Sequence, residues 1–177
     1  EQCLAECAIP VELLAHNEWG GATYIPELLA AFCTPNDPTV DRLLGQASQI
    51  LRKAGKSGSI NGYESGSREQ VWLMASAIYS AIVKMQVGYA LPPASFESNG
   101  QKIRLPSQIE SATVATCLDT TLLFAAALEQ AQLNPLVILT RGHALVGLWL
   151  DKEDLSSVVV DEAETLRQRI PLKELIL

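Results

Sequence analysis

Three stretches of the chain carry apolar residues at helical spacing. Val40, Leu43, Leu44, Ala47, Ile50 and Leu51 recur at i, i+3, i+4 and i+7, the mark of one buried helical face. Asn36-Asp37-Pro38 opens that helix: Asp37 is suited to cap the free amides, Pro38 fits the first turn, and Gly55 closes it. A second amphipathic helix is expected from Arg68 to Val87, with Val71, Ala75, Ile78, Ile82 and Met85 on one side and Gly88 as its stop. The third runs from about Thr116 to Gln132. Leu118 and the run Leu122 to Leu128 leave it apolar nearly all round, which predicts the central, buried helix.

Strand patterns follow. Leu136 to Thr140 and Ala144 to Leu150 read as buried strands and Ser157 to Val160 as a third. A short polar helix, Glu162 to Arg169, then precedes a last strand-like run, Leu172 to Leu177. Nearer the start, Ile9 to Ala15 is strand-like and is closed by the Gly20-Gly21 turn, and Pro26 opens a short helix through Phe32. Lys56 to Ser67 is a Gly/Ser-rich loop, and residues 89–107 are expected to be irregular because three prolines interrupt them. Helices followed by an antiparallel sheet give an α+β class. Residues 1–25 read as the trailing edge of an upstream module or an extended arm. The domain proper is expected over 26–177, with a helical part 26–88 and a core 89–177.

Composition narrows the function classes. With 48% hydrophobic and 19% charged residues in 177, the chain has material for a core and is not a disordered tail or a fibre. Thirteen Lys and Arg against twenty Asp and Glu leave a net charge of −7, which argues against a nucleic-acid grip by this segment. No apolar run reaches membrane-spanning length, and Glu1 to Glu6 has no basic n-region, so a soluble, cytoplasmic domain is expected. The four cysteines, at positions 3, 7, 33 and 117, are too few and too scattered for a disulfide framework. Cys3, Cys7, His16 and Cys33 are spaced poorly for zinc, so no metal is expected and plain thiols are the reading.

Cys117 opens the most buried helix, where free amides and the helix dipole favour the thiolate, the nucleophilic form. His143 stands at the start of a strand just behind Arg141-Gly142, placed to act as general base toward that helix end. If 144–150 and 157–160 form a hairpin, Asp161 returns to the same end and orients the imidazole. Taken singly each residue has a plainer reading: a small buried cysteine, a structural histidine, and an aspartate capping the helix Glu162 to Arg169.

Ala115-Thr116-Cys117-Leu118-Asp119, Leu122 to Glu129, Leu133-Asn134-Pro135 and Gly142-His143-Ala144 together resemble the transglutaminase-like core, a papain-type superfamily. The resemblance covers roughly residues 89–161. Pro92 to Glu97 with Gly100 to Arg104 is similar to transglutaminase-like domains embedded in very large bacterial helicase-related proteins, a context that Asn17 to Gly21 also fits. The likeness implies a buried helix carrying Cys117 on an antiparallel sheet, and cysteine-dependent acyl transfer on a polypeptide or other amide. It calls for no cofactor, and its other partners are neighbouring domains of a larger protein rather than DNA or a membrane. It implies an oxyanion hole made by the Cys117 amide and an upstream glutamine, Gln101 or Gln108. Gln101, Lys102 and Arg104 also read as a solvated loop surface. Several positions depart from the family pattern. Ala115 and Gln132 stand where glycines are usual, Leu145 stands for the Trp after His-Ala, and Glu162 follows Asp161. The run Leu172 to Leu177 offers a second route to the acid, which would then lie beyond Leu177. These departures motivate a rival, a non-catalytic binding or scaffolding module that keeps the fold.

Overall fold

The computed structural model describes residues 7–11, 13–92 and 100–177. In chain order it contains β1 (Glu18–Trp19), a 3-10 helix (Pro26–Phe32), α1 (Pro38–Lys53), α2 (Arg68–Lys84), β2 (Gly88–Tyr89) and β3 (Gln101–Lys102). It continues with α3 (Pro106–Ala112), β4 (Val114–Ala115), α4 (Cys117–Gln130), β5 (Pro135–Thr140), β6 (His143–Trp149), α5 (Ala163–Arg167) and β7 (Leu175–Ile176). Of the described residues 40% are helical and 14% lie in strands, a mixed α+β content.

The helical half is built as its periodicity demands. Asp37 accepts the Thr39 amide at 2.8 Å and caps α1, and Pro38 takes the first turn. Ser67 accepts the Gln70 amide at 3.4 Å and caps α2. α1 and α2 pack against one another, and both lie on α4. Val40, Leu43, Ala47 and Leu51 of α1 meet Val71, Met74 and Ile78 of α2 and Leu123, Ala127 and Leu128 of α4 in one core. α2 stops three residues short of expectation because Gln86, not Gly88, takes the left-handed turn, at φ 51°.

α4 is sandwiched between these helices and the β5–β6 hairpin, so its all-round apolar surface is buried on both sides. The hairpin is antiparallel from Pro135↔Leu148 to Thr140↔His143, and its two-residue turn, Arg141-Gly142, uses Gly142 at φ 76°. β7 adds antiparallel to the far end of β6, pairing only Leu148 and Trp149. Arg68 of α2 holds the approach to β7 through the Leu172 and Lys173 carbonyls, both at 3.0 Å.

Some expectations are corrected. Residues 157–160 form no strand. The third strand of the sheet is β7, so the hairpin that would carry Asp161 back beside His143 is not made. Nor is there a strand among the described residues of Ile9 to Ala15; Ile9, Val11 and Leu13 are exposed. Glu18 and Trp19, expected in the arm, instead pair with Lys102 and Gln101, and Trp19 is buried. The stretch expected to be irregular contains β3 and the start of α3, whose Pro106 takes the first turn while Gln108 accepts the Leu105 amide at 3.0 Å. Residues 93–99 of the helicase-like motif lie outside the described residues, as does Cys3. No helix among the described residues is long and apolar enough to cross a membrane.

Candidate active site

Thr116 adopts an extended conformation and caps α4: its Oγ1 accepts the Asp119 amide at 3.0 Å, while Asp119 Oδ2 accepts the Thr116 amide at 2.8 Å. This reciprocal pair starts the helix at Cys117, so the cysteine occupies the first turn, where backbone amides are not used within the helix. Cys117 is half-buried and borders a small second core made by Trp19, Leu29, Phe32, Ile103, Leu118, Leu122 and Ala144.

β1 and β3 close over this end. Trp19 and Gln101 are directly opposed across the pair and therefore share a face. Gln101 Nε2 donates to Thr116 Oγ1 at 3.4 Å, which sets its carboxamide against the residue preceding Cys117. The indole Nε1 of Trp19 is buried with no hydrogen-bond partner among the described residues. Just past β3, Arg104 donates its backbone amide to Asp119 Oδ1 at 2.9 Å and its guanidinium to Oδ2 at 3.1 Å. The expected solvated surface at Gln101 and Arg104 is thus a strand and its exit, bonded to the helix start. Gln108 lies on α3 and hydrogen-bonds its own helix start.

His143 begins β6 next to Ala144, which is buried in the cluster that Cys117 borders. The pleat alternates side chains between faces, so His143 is directed away from the face of Ala144, and its ring is exposed. No hydrogen bond joins Cys117 Sγ to His143. Asp161 is exposed, lies on no strand, and its carboxylate makes no hydrogen bond or ion pair with a described residue; its carbonyl accepts the Ala163 amide at 3.2 Å. The structure therefore groups Cys117, Thr116 and Gln101, puts the backbone of His143 one residue from their cluster, and leaves Asp161 apart from it in bonding.

Asp119, Arg104 and Trp19 were not legible as site residues. The Thr116-x-x-Asp119 spacing of a capping box was the only signal among them, because the Arg104 pairing spans 15 residues. Cys33, another half-buried thiol, is of a different kind. Burial pushes its pKa up to about 12, helped by the Glu129 carboxylate, to which its thiol donates at 3.3 Å. Two surface hollows of about 560 and 540 Å³ flank β7, and neither is lined by Cys117, His143 or Gln101.

The class these features define is an α+β protein whose buried central helix opens with a cysteine and carries a three-stranded antiparallel sheet. No family model matches the chain, and neither a curated protein nor a solved structure is significantly similar to it.

Proposed function

We propose that this chain is a cysteine-dependent acyl-transfer domain of the transglutaminase-like, papain-type class, acting as a peptidase or amidase on a polypeptide or other amide. The observation that carries the reading is the Gln101 carboxamide bonded to Thr116, beside the cysteine at the start of α4. Cys117 Sγ attacks the amide carbon. The developing oxyanion is met by the Cys117 backbone N–H and by Gln101 Nε2. His143 takes the thiol proton and returns it to the leaving amine, and water or a second amine resolves the thioester, its proton passing to His143. Because His143 and Ala144 point to opposite faces of β6, this step requires the exposed imidazole to turn toward the sulfur when substrate binds. A Cys–His pair suffices, and Asp161 is not needed in this scheme. No metal or organic cofactor enters it.

The free thiols Cys33 and Cys117 suit a cytoplasmic setting. In a larger helicase-related protein, the net charge of −7 leaves DNA to neighbouring domains. A second reading, a non-catalytic module, is favoured by the missing Cys117–His143 bond. Alkylation by iodoacetamide separates the two. A Cys117 rate that rises at a pH well below the free-thiol value of about 8.5, and that loses this advantage in His143→Ala, supports the enzyme. A midpoint near 8.5, unchanged by His143→Ala, leaves the module.

A further inference from the structure

We propose that the Arg104–Asp119 ion pair is the positioning device of the Cys117 site, an inference that rests on reading Cys117 as the nucleophile. Asp119 is fully buried, with 0% of its side chain exposed, and its two oxygens accept three hydrogen bonds, one of which completes the helix cap. One comes from the Thr116 amide, the residue before Cys117, and two come from Arg104. A cap needs only the first of these. The other two tie the exit of β3 to the helix start, and β3 is the strand that carries Gln101.

The pair has an electrostatic consequence as well. Asp119 stands on the first turn of α4, two residues after Cys117, and a carboxylate so buried, which solvent screens little, would oppose negative charge developing at that helix end if it were left unpaired. The Arg104 guanidinium, 17% exposed and 3.1 Å from Oδ2, cancels that charge. Asp119 thus caps the helix and anchors β3 as half of a neutral pair. Arg104 and Asp119 act through Cys117 and Gln101; they touch no reacting atom.

A charge cycle tests this on the intact chain, with iodoacetamide as probe at pH 7 and Cys117 followed by peptide mass. Arg104→Gln leaves the buried carboxylate uncompensated and is expected to slow Cys117 alkylation about tenfold. Arg104→Lys keeps the charge and is expected to stay within threefold of wild type. The double variant Arg104→Gln/Asp119→Asn removes both charges and is expected to recover to within threefold, which loss of packing alone does not produce. Thermal unfolding by circular dichroism verifies folding. If Arg104→Gln does not fold, the lysine and double variants carry the test, and a tenfold loss in either overturns the proposal. An unchanged rate in folded Arg104→Gln, or a folded double variant as slow as the single, also overturns it. Failure of the nucleophile reading shows separately, as a wild-type rate no faster than a free thiol and indifferent to His143→Ala, and leaves the ranking of these variants readable.

Discussion

The carbonyl oxygen of Gln132 lies 2.6 Å from where a Cβ on Gly62 would stand. Both residues have left-handed backbones, Gly62 at φ 58° and Gln132 at φ 62°. The loop before α2 therefore touches the α4–β5 turn backbone to backbone, and only glycine fits on the loop side. Gly62→Ala is expected to destabilise the protein by about 2–3 kcal/mol, from positive φ and from the clash together. Urea unfolding measures it, and a loss below about 0.5 kcal/mol would show that the contact is not close.

Gln132 stands where the resembling family carries glycine, and it is exposed. Its left-handed backbone costs a non-glycine residue about 1 kcal/mol or more, part of which glycine's greater unfolded-state freedom offsets. Gln132→Gly is expected to raise stability by about 0.5–1 kcal/mol in the same urea experiment.

Tyr63 joins the same region from the side. Its hydroxyl donates to the Trp149 carbonyl at 2.8 Å and accepts the Asn134 amide at 3.0 Å, linking the loop to both strands at the open end of the β5–β6 hairpin. Tyr63→Phe removes both bonds at once with little change of shape. The expected loss is about 1–3 kcal/mol, seen as a lower urea midpoint at unchanged m.

Cys33 is expected to resist alkylation at neutral pH while Cys117 reacts. The sign of its pH effect follows from its raised pKa. Below the usual value of 9.0 the thiol is protonated in both folded and unfolded chains, and its contribution to stability is fully present. As pH climbs from 9.0 towards about 12, the unfolded thiol ionises while the folded one does not, and that contribution is lost. Wild type minus Cys33→Ala, unfolded across this window, should therefore show a stability difference that shrinks with pH. A flat difference would contradict the burial of this thiol beside Glu129.

Asp37 answers to acid. Partial burial pushes its carboxyl up, but bonds from Ser107, whose hydroxyl donates at 2.5 Å, and from Thr39 outweigh this and hold it below the ordinary 3.8. The stability it supplies is present above 3.8 and lost as pH falls through its lowered folded value. Asp37→Asn keeps an acceptor for the α1 cap but removes the charge. It is expected to unfold at the same urea concentration at pH 3 and 7 more nearly than wild type does.

Much of this molecule was written locally. The i, i+3, i+4 spacing of α1, the Asp37-Pro38 start and the wholly apolar run of α4 each state a helix and the face or faces it buries, because hydrophobic burial acts on positions that the backbone period brings together. The apolar runs 136–140 and 144–150 likewise state two strands, though not that they pair with each other, and Cys117 and His143 were named from helix start and strand start alone. Tertiary structure decided the rest. Ser157 to Val160 had strand composition, yet β6 pairs with Leu175–Ile176 instead, since a strand exists only where another backbone offers its hydrogen bonds. Trp19 and Gln101 sit in two-residue strands too short to leave a period, and they meet only because the chain returns after more than eighty residues. The Arg104–Asp119 bond is of the same kind: a buried carboxylate must find its donors, and which arginine supplies them is settled by packing rather than by neighbours in sequence.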